Sequence, residues 1–252
     1  MLLHQLAHQI GIAGGIVQRQ SRDQQRLIVQ QLGVDLGLFR VGGHGVLQSG
    51  EGRVLRVQLQ NPLEISVKEM MEQLKDTDGI VIDLRQGIQP TFDISNFHRY
   101  FCSDYQSAAQ MIVPSQVIPG TYQSILASAG STQTEREMLE IYFYQKPVVL
   151  LVNENVVSSG EYAAMLMAVG ENVVLLGENT RGADGNVAYL PLPGNLQITF
   201  SSMGVFGPNM EQVQRIGLTP DIEVYPTIEG IKEGRDELKE AAVAYIQEQN
   251  AK

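Results

Sequence analysis

A chain of 252 residues, 43% of them hydrophobic, can bury a substantial core as one large domain or as one domain with a small appendage. Its net charge of −10 excludes nucleic acid as a main partner, because a phosphate-binding surface needs clustered lysine and arginine. No apolar run is long enough to span a membrane, and a single cysteine, Cys102, excludes an internal disulfide.

The first residues, MLLHQLAHQIGIAGG, lack the positive start and unbroken apolar stretch of a secretory leader. The expected location is therefore the cytoplasm, or the periplasm or exterior if a leader has been removed. Residues 1–60 hold Arg19, Arg22, Arg26, Arg40, Arg53 and Arg56 against Asp23, Asp35 and Glu51, so the acidity lies in the remainder. Residues 1–49 offer short apolar pieces (IGIAGGIV, RLIVQQL, LGLFRV) between glycine and polar clusters, which read as a small N-terminal segment of a few strands or a strand-helix-strand element. The glycines at Gly50 and Gly52 mark an expected junction with a domain of residues 50–252.

That domain reads as alternating strands and helices. Val54 to Leu59 is a strand; Val67, Met70, Met71 and Leu74 recur at helical spacing and lead into the buried strand of GIVIDLR, Gly79 to Arg85. Cys102, among the aromatics of RYFCSDY, reads as a small buried filler. Val148 to Val152 and Val173 to Leu176 are continuous apolar runs of the kind found in parallel strands covered on both faces. Between them Ala163, Ala164, Met167 and Ala168 predict a helix over residues 160–170. Leu196, Ile198 and Phe200 alternate as in a partly exposed strand, a further strand covers Ile222 to Val224, and the C-terminal segment from Glu229 to Lys252 predicts one amphipathic helix with Leu238, Ala241, Ala242, Tyr245 and Ile246 on its buried face.

Ser158 and Ser159 fall between a strand end and a helix start. Free backbone N–H groups and the positive end of the helix dipole converge there, which suits a nucleophile that generates a transient oxyanion. The same serines also serve as a plain helix cap, so the pattern is not by itself diagnostic. No His/Cys cluster has metal spacing, no glycine loop precedes a phosphate-binding lysine, and there is no dinucleotide fingerprint; no metal and no cofactor is expected.

Four segments in order, GIVIDLR, LVNENVVSSGEYAA, LLGENTRGADG and QRIGLTPDIEV, resemble the C-terminal processing (tail-specific) serine peptidases, whose relatives include the tricorn protease core. The resemblance implies an α/β fold of the Clp-protease/crotonase type, a sheet flanked by helices, and endopeptidase action on a protein or peptide substrate. It places the nucleophile at Ser158 and an acidic auxiliary at Glu161, with oxyanion donors at the Ser159 and Gly87 N–H groups. Residues 1–49 would then be a remnant of the PDZ domain that many relatives carry, or a lead-in. Where the processing peptidases carry a lysine base, this chain has Ala183. The tricorn-like branch uses a histidine instead, and the candidates are His44 in VGGHGV and His98 in SNFHRYF; an orienting carboxylate would be Glu211 or Asp221, and Asp184 is a further acid beside Ala183. The usual paired glycines of the oxyanion loop are replaced by Gln89 and Pro90, and proline donates no hydrogen bond. An inactive peptide- or ligand-binding member of the family is the alternative, acyl-CoA chemistry on the crotonase fold a more distant one, and oligomerisation is compatible with either.

Overall fold

The computed structural model describes residues 40–41, 44–49, 52–59, 66–88 and 92–252; before Ser66 only the side chains of Val54, Val57 and Leu59 are described. These residues all lie within one compact unit, Gly37–Lys252. Residues 1–39, and with them most of the expected N-terminal segment, lie outside the described residues.

The main sheet has seven strands in the order β1-β2-β3-β4-β7-β8-β12. They are β1 (Arg40–Val41), β2 (His44–Ser49), β3 (Gly52–Gln58), β4 (Gly79–Asp83), β7 (Val148–Val152), β8 (Val173–Gly177) and β12 (Ile222–Glu223). From β3 to β12 every pairing is parallel, whereas β1 and β2 join antiparallel at one edge. Ser49 is the register partner of Gly52, so β2 and β3 pair across the stretch expected as a junction.

Each parallel strand lies beside the one before it, and always on the same side. Right-handed crossovers taken repeatedly in one direction put the connecting helices on one face of the sheet. The packing shows this: Val67, Met70, Met71 and Leu74 of α1 (Val67–Leu74) and Ala163, Ala164 and Met167 of α4 (Ser159–Ala168) share a core with Ile80, Ile82, Val148, Leu150 and Val152. The alternate residues Val81, Val149 and Leu151 point to the other face, where Leu238, Ala242 and Ile246 of α6 (Glu237–Asn250) cover them. Burial on both faces is why these strands read as unbroken apolar runs. Gly79 is the point of closest approach, since a Cβ there would meet Ile246 Cγ2 at 2.5 Å.

The predicted single C-terminal helix is two helices, α5 (Ile228–Glu233) and α6. Gly234 ends the first in a left-handed conformation, φ 71°, and Asp236 caps the second by accepting the Lys239 N–H. Glycine followed two residues later by aspartate stops one helix and starts another, and this local signal outweighed the helical spacing.

A second, three-stranded antiparallel sheet, β11-β5-β6, has no counterpart among the expected elements; it is made of β5 (Gln106–Pro114), β6 (Tyr122–Ala129) and β11 (Gly204–Phe206). Its Ala108, Ala109, Ala127, Ala129 and Val205 pack on Met165 and Leu166, the side of α4 that faces away from the main sheet. Helix α4 is therefore enclosed between two sheets, which explains why its sequence is apolar all round and not on one stripe. Two short helices, α2 (Ile94–Phe97) and α3 (Gln133–Leu139), flank this sheet in sequence, and the hairpin β9 (Val187–Leu192) and β10 (Leu196–Ser201) pairs with neither larger sheet.

Candidate active site

The C-terminal ends of β3, β4, β7 and β8 lie at one edge of the sheet, the edge where open α/β sheets bind ligands. Ser158 lies in the connection leaving β7. There Asn153 accepts the Asn155 N–H through its side chain and the Val156 N–H through its carbonyl, while Val156 is fully buried. Arg181 then ties this connection to the loop after β8: its N–H donates to the Val156 carbonyl at 3.0 Å and its Nε to the Glu154 carbonyl at 2.6 Å.

The chain so held enters α4 through a strained residue. Ser158 has φ 50° and ψ −119°, a conformation that costs a non-glycine residue about 1–3 kcal/mol. The turn leaves the Ser158 side chain exposed at the helix N-terminus, where it faces the Glu161 N–H in a capping box. The Ser159 N–H, at the first helical position, meets no acceptor among the described residues.

Glu161 is fully buried one turn into the helix and accepts four hydrogen bonds. Its Oε2 receives the Ser158 N–H at 3.2 Å and the Ala183 N–H at 2.9 Å; its Oε1 receives the Thr180 hydroxyl at 2.6 Å and the Gly182 N–H at 2.7 Å. Thr180 was not singled out from sequence, although it lies in the GENTRG motif; its Oγ1 also accepts the Leu218 N–H at 2.7 Å. Gly217 and Gly182 make this contact possible: a Cβ on Gly217 would stand 2.2 Å from the Thr180 carbonyl, and one on Gly182 would stand 2.7 Å from the Gly217 nitrogen. The motifs around SSGE, GENTRG and RIGLTPD thus converge on one buried carboxylate. Ala183 itself is exposed beside it.

The other expected residues are distributed as follows. Gly87 follows β4 at the same sheet edge, with φ 89°, but its N–H closes a turn on the Leu84 carbonyl at 2.9 Å and so is already engaged; Gln89 and Pro90 lie outside the described residues. His44 opens β2, opposite Val41, and its side chain lies outside the described residues. Its strand is separated from β7 by β3 and β4, about 14 Å across the sheet at the usual strand spacing. His98, in a 3-10 turn after α2, is buried and accepts the Gly130 N–H on Nδ1 at 3.1 Å. Burial and then Arg99 push its pKa down to about 4, so it is a neutral packing residue. Asp221 exchanges two hydrogen bonds with Leu175, accepting its N–H at 2.8 Å and donating to its carbonyl at 2.9 Å, and thereby sets β12 beside β8. Glu211 folds back on Asn209 within its own loop. Burial pushes the Cys102 thiol up to about 12, in keeping with a filler role.

Asp184 stands apart. It is buried directly after Ala183, one oxygen accepts the Gly185 N–H at 2.6 Å, and the other has no partner among the described residues. Burial, opposed by that bond and reinforced by Glu161, raises its pKa to about 6. Among the described residues no group of His, Cys, Asp and Glu could hold a metal ion, and no helix is long and apolar enough to cross a membrane.

A strained serine at a strand-to-helix turn, on a mainly parallel sheet flanked by helices, is a geometry that serine hydrolases can use. Residues 103–224 match peptidase family S41, and this part of the chain is a peptidase family S41 domain. A crystal structure of a peptidase candidate from Parabacteroides merdae superposes on 88% of this chain and 69% of its own, with a TM-score of 0.69 at 19% identity. Mature CPAF complexed with lactacystin superposes on 82% of this chain with a TM-score of 0.55 at 12% identity; the match covers 53% of that chain, so this protein spans about half its length. At these identities the likeness concerns the fold. Comparison with curated proteins found no significant match.

Proposed function

We propose that the protein is a serine endopeptidase that cleaves proteins or peptides through an acyl-enzyme at Ser158. The observation that carries this reading is the conformation of Ser158, a non-glycine residue held at φ 50° with its side chain exposed at a helix N-terminus. Strain of this kind persists only where the surroundings enforce it, and it concentrates at reactive positions. In the proposed reaction the Ser158 oxygen gives its proton to a base and attacks the scissile carbonyl. The Ser159 N–H and the helix dipole stabilise the resulting oxyanion, collapse expels the amine as the base returns the proton to its nitrogen, and water releases the acyl group. Glu161 acts as a positioning residue, since its four accepted bonds occupy both oxygens and fasten the loop of residues 180–183 to the nucleophile turn. His44 is the candidate base.

A second reading, a peptide- or ligand-binding member without catalysis, is favoured by two observations. Ala183 supplies no base beside Ser158, and the Gly87 N–H is committed to Leu84. A fluorophosphonate probe separates the two. Labelling that maps to Ser158 and disappears in Ser158→Ala supports the peptidase, and its further loss in His44→Ala assigns the base. A folded protein that stays unlabelled from neutral to mildly alkaline pH supports the binding member.

A further inference from the structure

We infer that the β9–β10 hairpin joins two copies of this chain into a homodimer, its apolar face packed on the same face of the second copy. In the hairpin Leu196 pairs with Leu192, Ile198 with Leu190 and Phe200 with Ala188. Side chains alternate along a strand, so these six residues share one face, and Gln197, Thr199, Ser201, Val187, Tyr189 and Pro191 share the other. Leu190, Leu192, Leu196, Ile198 and Phe200 are 37 to 64% exposed, and among the described residues none of the hairpin belongs to an apolar core. A two-stranded hairpin is at best marginally stable alone in water, so an uncovered face of large apolar side chains calls for a partner.

Charge selects that partner. Residues 185–210 contain no Asp, Glu, Lys or Arg, in a chain whose net charge is −10. Two like-charged copies repel over the rest of their surfaces and meet here without opposing charges, and the cores of protein interfaces are depleted of charge in the same way. Monomeric proteins guard exposed strands with lysines or inward-pointing charges, and this hairpin has neither. A two-fold interface needs a patch complementary to itself, which a flat face of leucine, isoleucine and phenylalanine provides. The hairpin's base is anchored to the active-site loop: the Ser201 hydroxyl donates to the Asp184 carbonyl at 3.3 Å, and the Ser202 N–H to the Asn186 carbonyl at 2.8 Å. The inference does not depend on whether Ser158 is reactive.

Sedimentation of the full chain across micromolar concentrations should give twice the 27.8 kDa monomer mass. Ile198→Asp and Phe200→Asp should each weaken self-association at least a hundredfold, whereas Thr199→Glu, on the opposite face, should remain dimeric. Should either aspartate variant fail to fold, amide exchange of the unaltered chain decides: residues 196–201 should exchange more slowly as concentration rises. A monomeric chain, a dimer that survives Phe200→Asp in folded protein, or exchange independent of concentration overturns the inference. A monomer whose Phe200→Asp variant loses peptide turnover or vesicle binding overturns it too, and assigns the face to substrate or lipid.

Discussion

Ser158 and Ala183 donate their backbone N–H groups to one and the same carboxylate oxygen, Oε2 of Glu161, at 3.2 and 2.9 Å. The position where the processing peptidases carry a lysine is therefore adjacent to the Ser158 turn, and in this protein it is open to solvent. The prediction is that Ala183→Lys raises the rate of fluorophosphonate labelling at Ser158 by roughly a hundredfold at mildly alkaline pH, the usual worth of a positioned base. An unchanged rate in the folded variant would show that the lysine cannot reach the hydroxyl.

Ser158 trades stability for its position. Ser158→Ala should abolish labelling and peptide hydrolysis while costing about 0.5–2 kcal/mol of unfolding free energy, the worth of a capping hydroxyl. Ser158→Gly should be equally inactive yet more stable by about 1 kcal/mol, since glycine adopts positive φ without strain. Urea titrations of the three proteins test both; a destabilised glycine variant would mean that the backbone there is unstrained.

Replacing Glu161 with glutamine leaves one acceptor oxygen for four donors and turns an amide N–H₂ towards at least one of them. A loss of about 2–4 kcal/mol is expected, with slower labelling of Ser158 in protein that remains folded. Retained stability with activity lost would instead make Glu161 a participant in proton transfer.

Asp184 predicts a pH dependence of opposite sign to that of an ordinary ion-paired carboxylate. Its folded pKa, about 6, lies above the ordinary value of 3.8, so the native state binds the proton more tightly than the unfolded chain. The associated stability is fully present below the unfolded value and is lost as pH rises through about 6, by about 2–3 kcal/mol in all. Asp184→Asn keeps an acceptor for the Gly185 N–H, and it should flatten this dependence and be the more stable protein at neutral pH. Thermal unfolding of both proteins from pH 4 to 8 measures the difference.

Arg85 clamps the end of β4 to the C-terminal helix. Its Nε and one terminal nitrogen donate to Asp83 at 2.9 and 2.8 Å, and both terminal nitrogens donate to Asp236 at 2.8 Å. Burial opposes the charge, but Asp83 and Asp236 outweigh it and raise the arginine's pKa. Arg85→Met leaves Asp83, nearly inaccessible to solvent, without the arginine that balances its charge and should cost about 3–5 kcal/mol. Arg85→Lys should recover only part of that, because a point charge cannot make the paired bonds. Urea unfolding measures both.

The parallel strands and the turn at Ser158 were legible because their causes are local. Continuous runs such as Val148 to Val152 mark strands buried on both faces, and small apolar residues at helical spacing after SSGE mark the helix that follows. The break at Gly234 is equally local, a glycine in the left-handed region followed by the Asp236 cap, although the helical spacing on either side predicts one helix. The sheet formed by β5, β6 and β11 was not legible, because β11 pairs with β5 across some ninety residues and no nearby pattern announces the partner.

By itself the sequence determined which segments are strands and helices in the central sheet, and which serine ends a strand and begins a helix, since backbone propensity and side-chain alternation act between near neighbours. Only the tertiary structure decided what Glu161, Gly87 and His98 do. A carboxylate has room for several donors, a turn amide can face a carbonyl or a cleft, and a histidine can be buried or wet. Which of these holds depends on groups brought from Thr180, Leu84 and Gly130 by packing, and that depends on the whole fold.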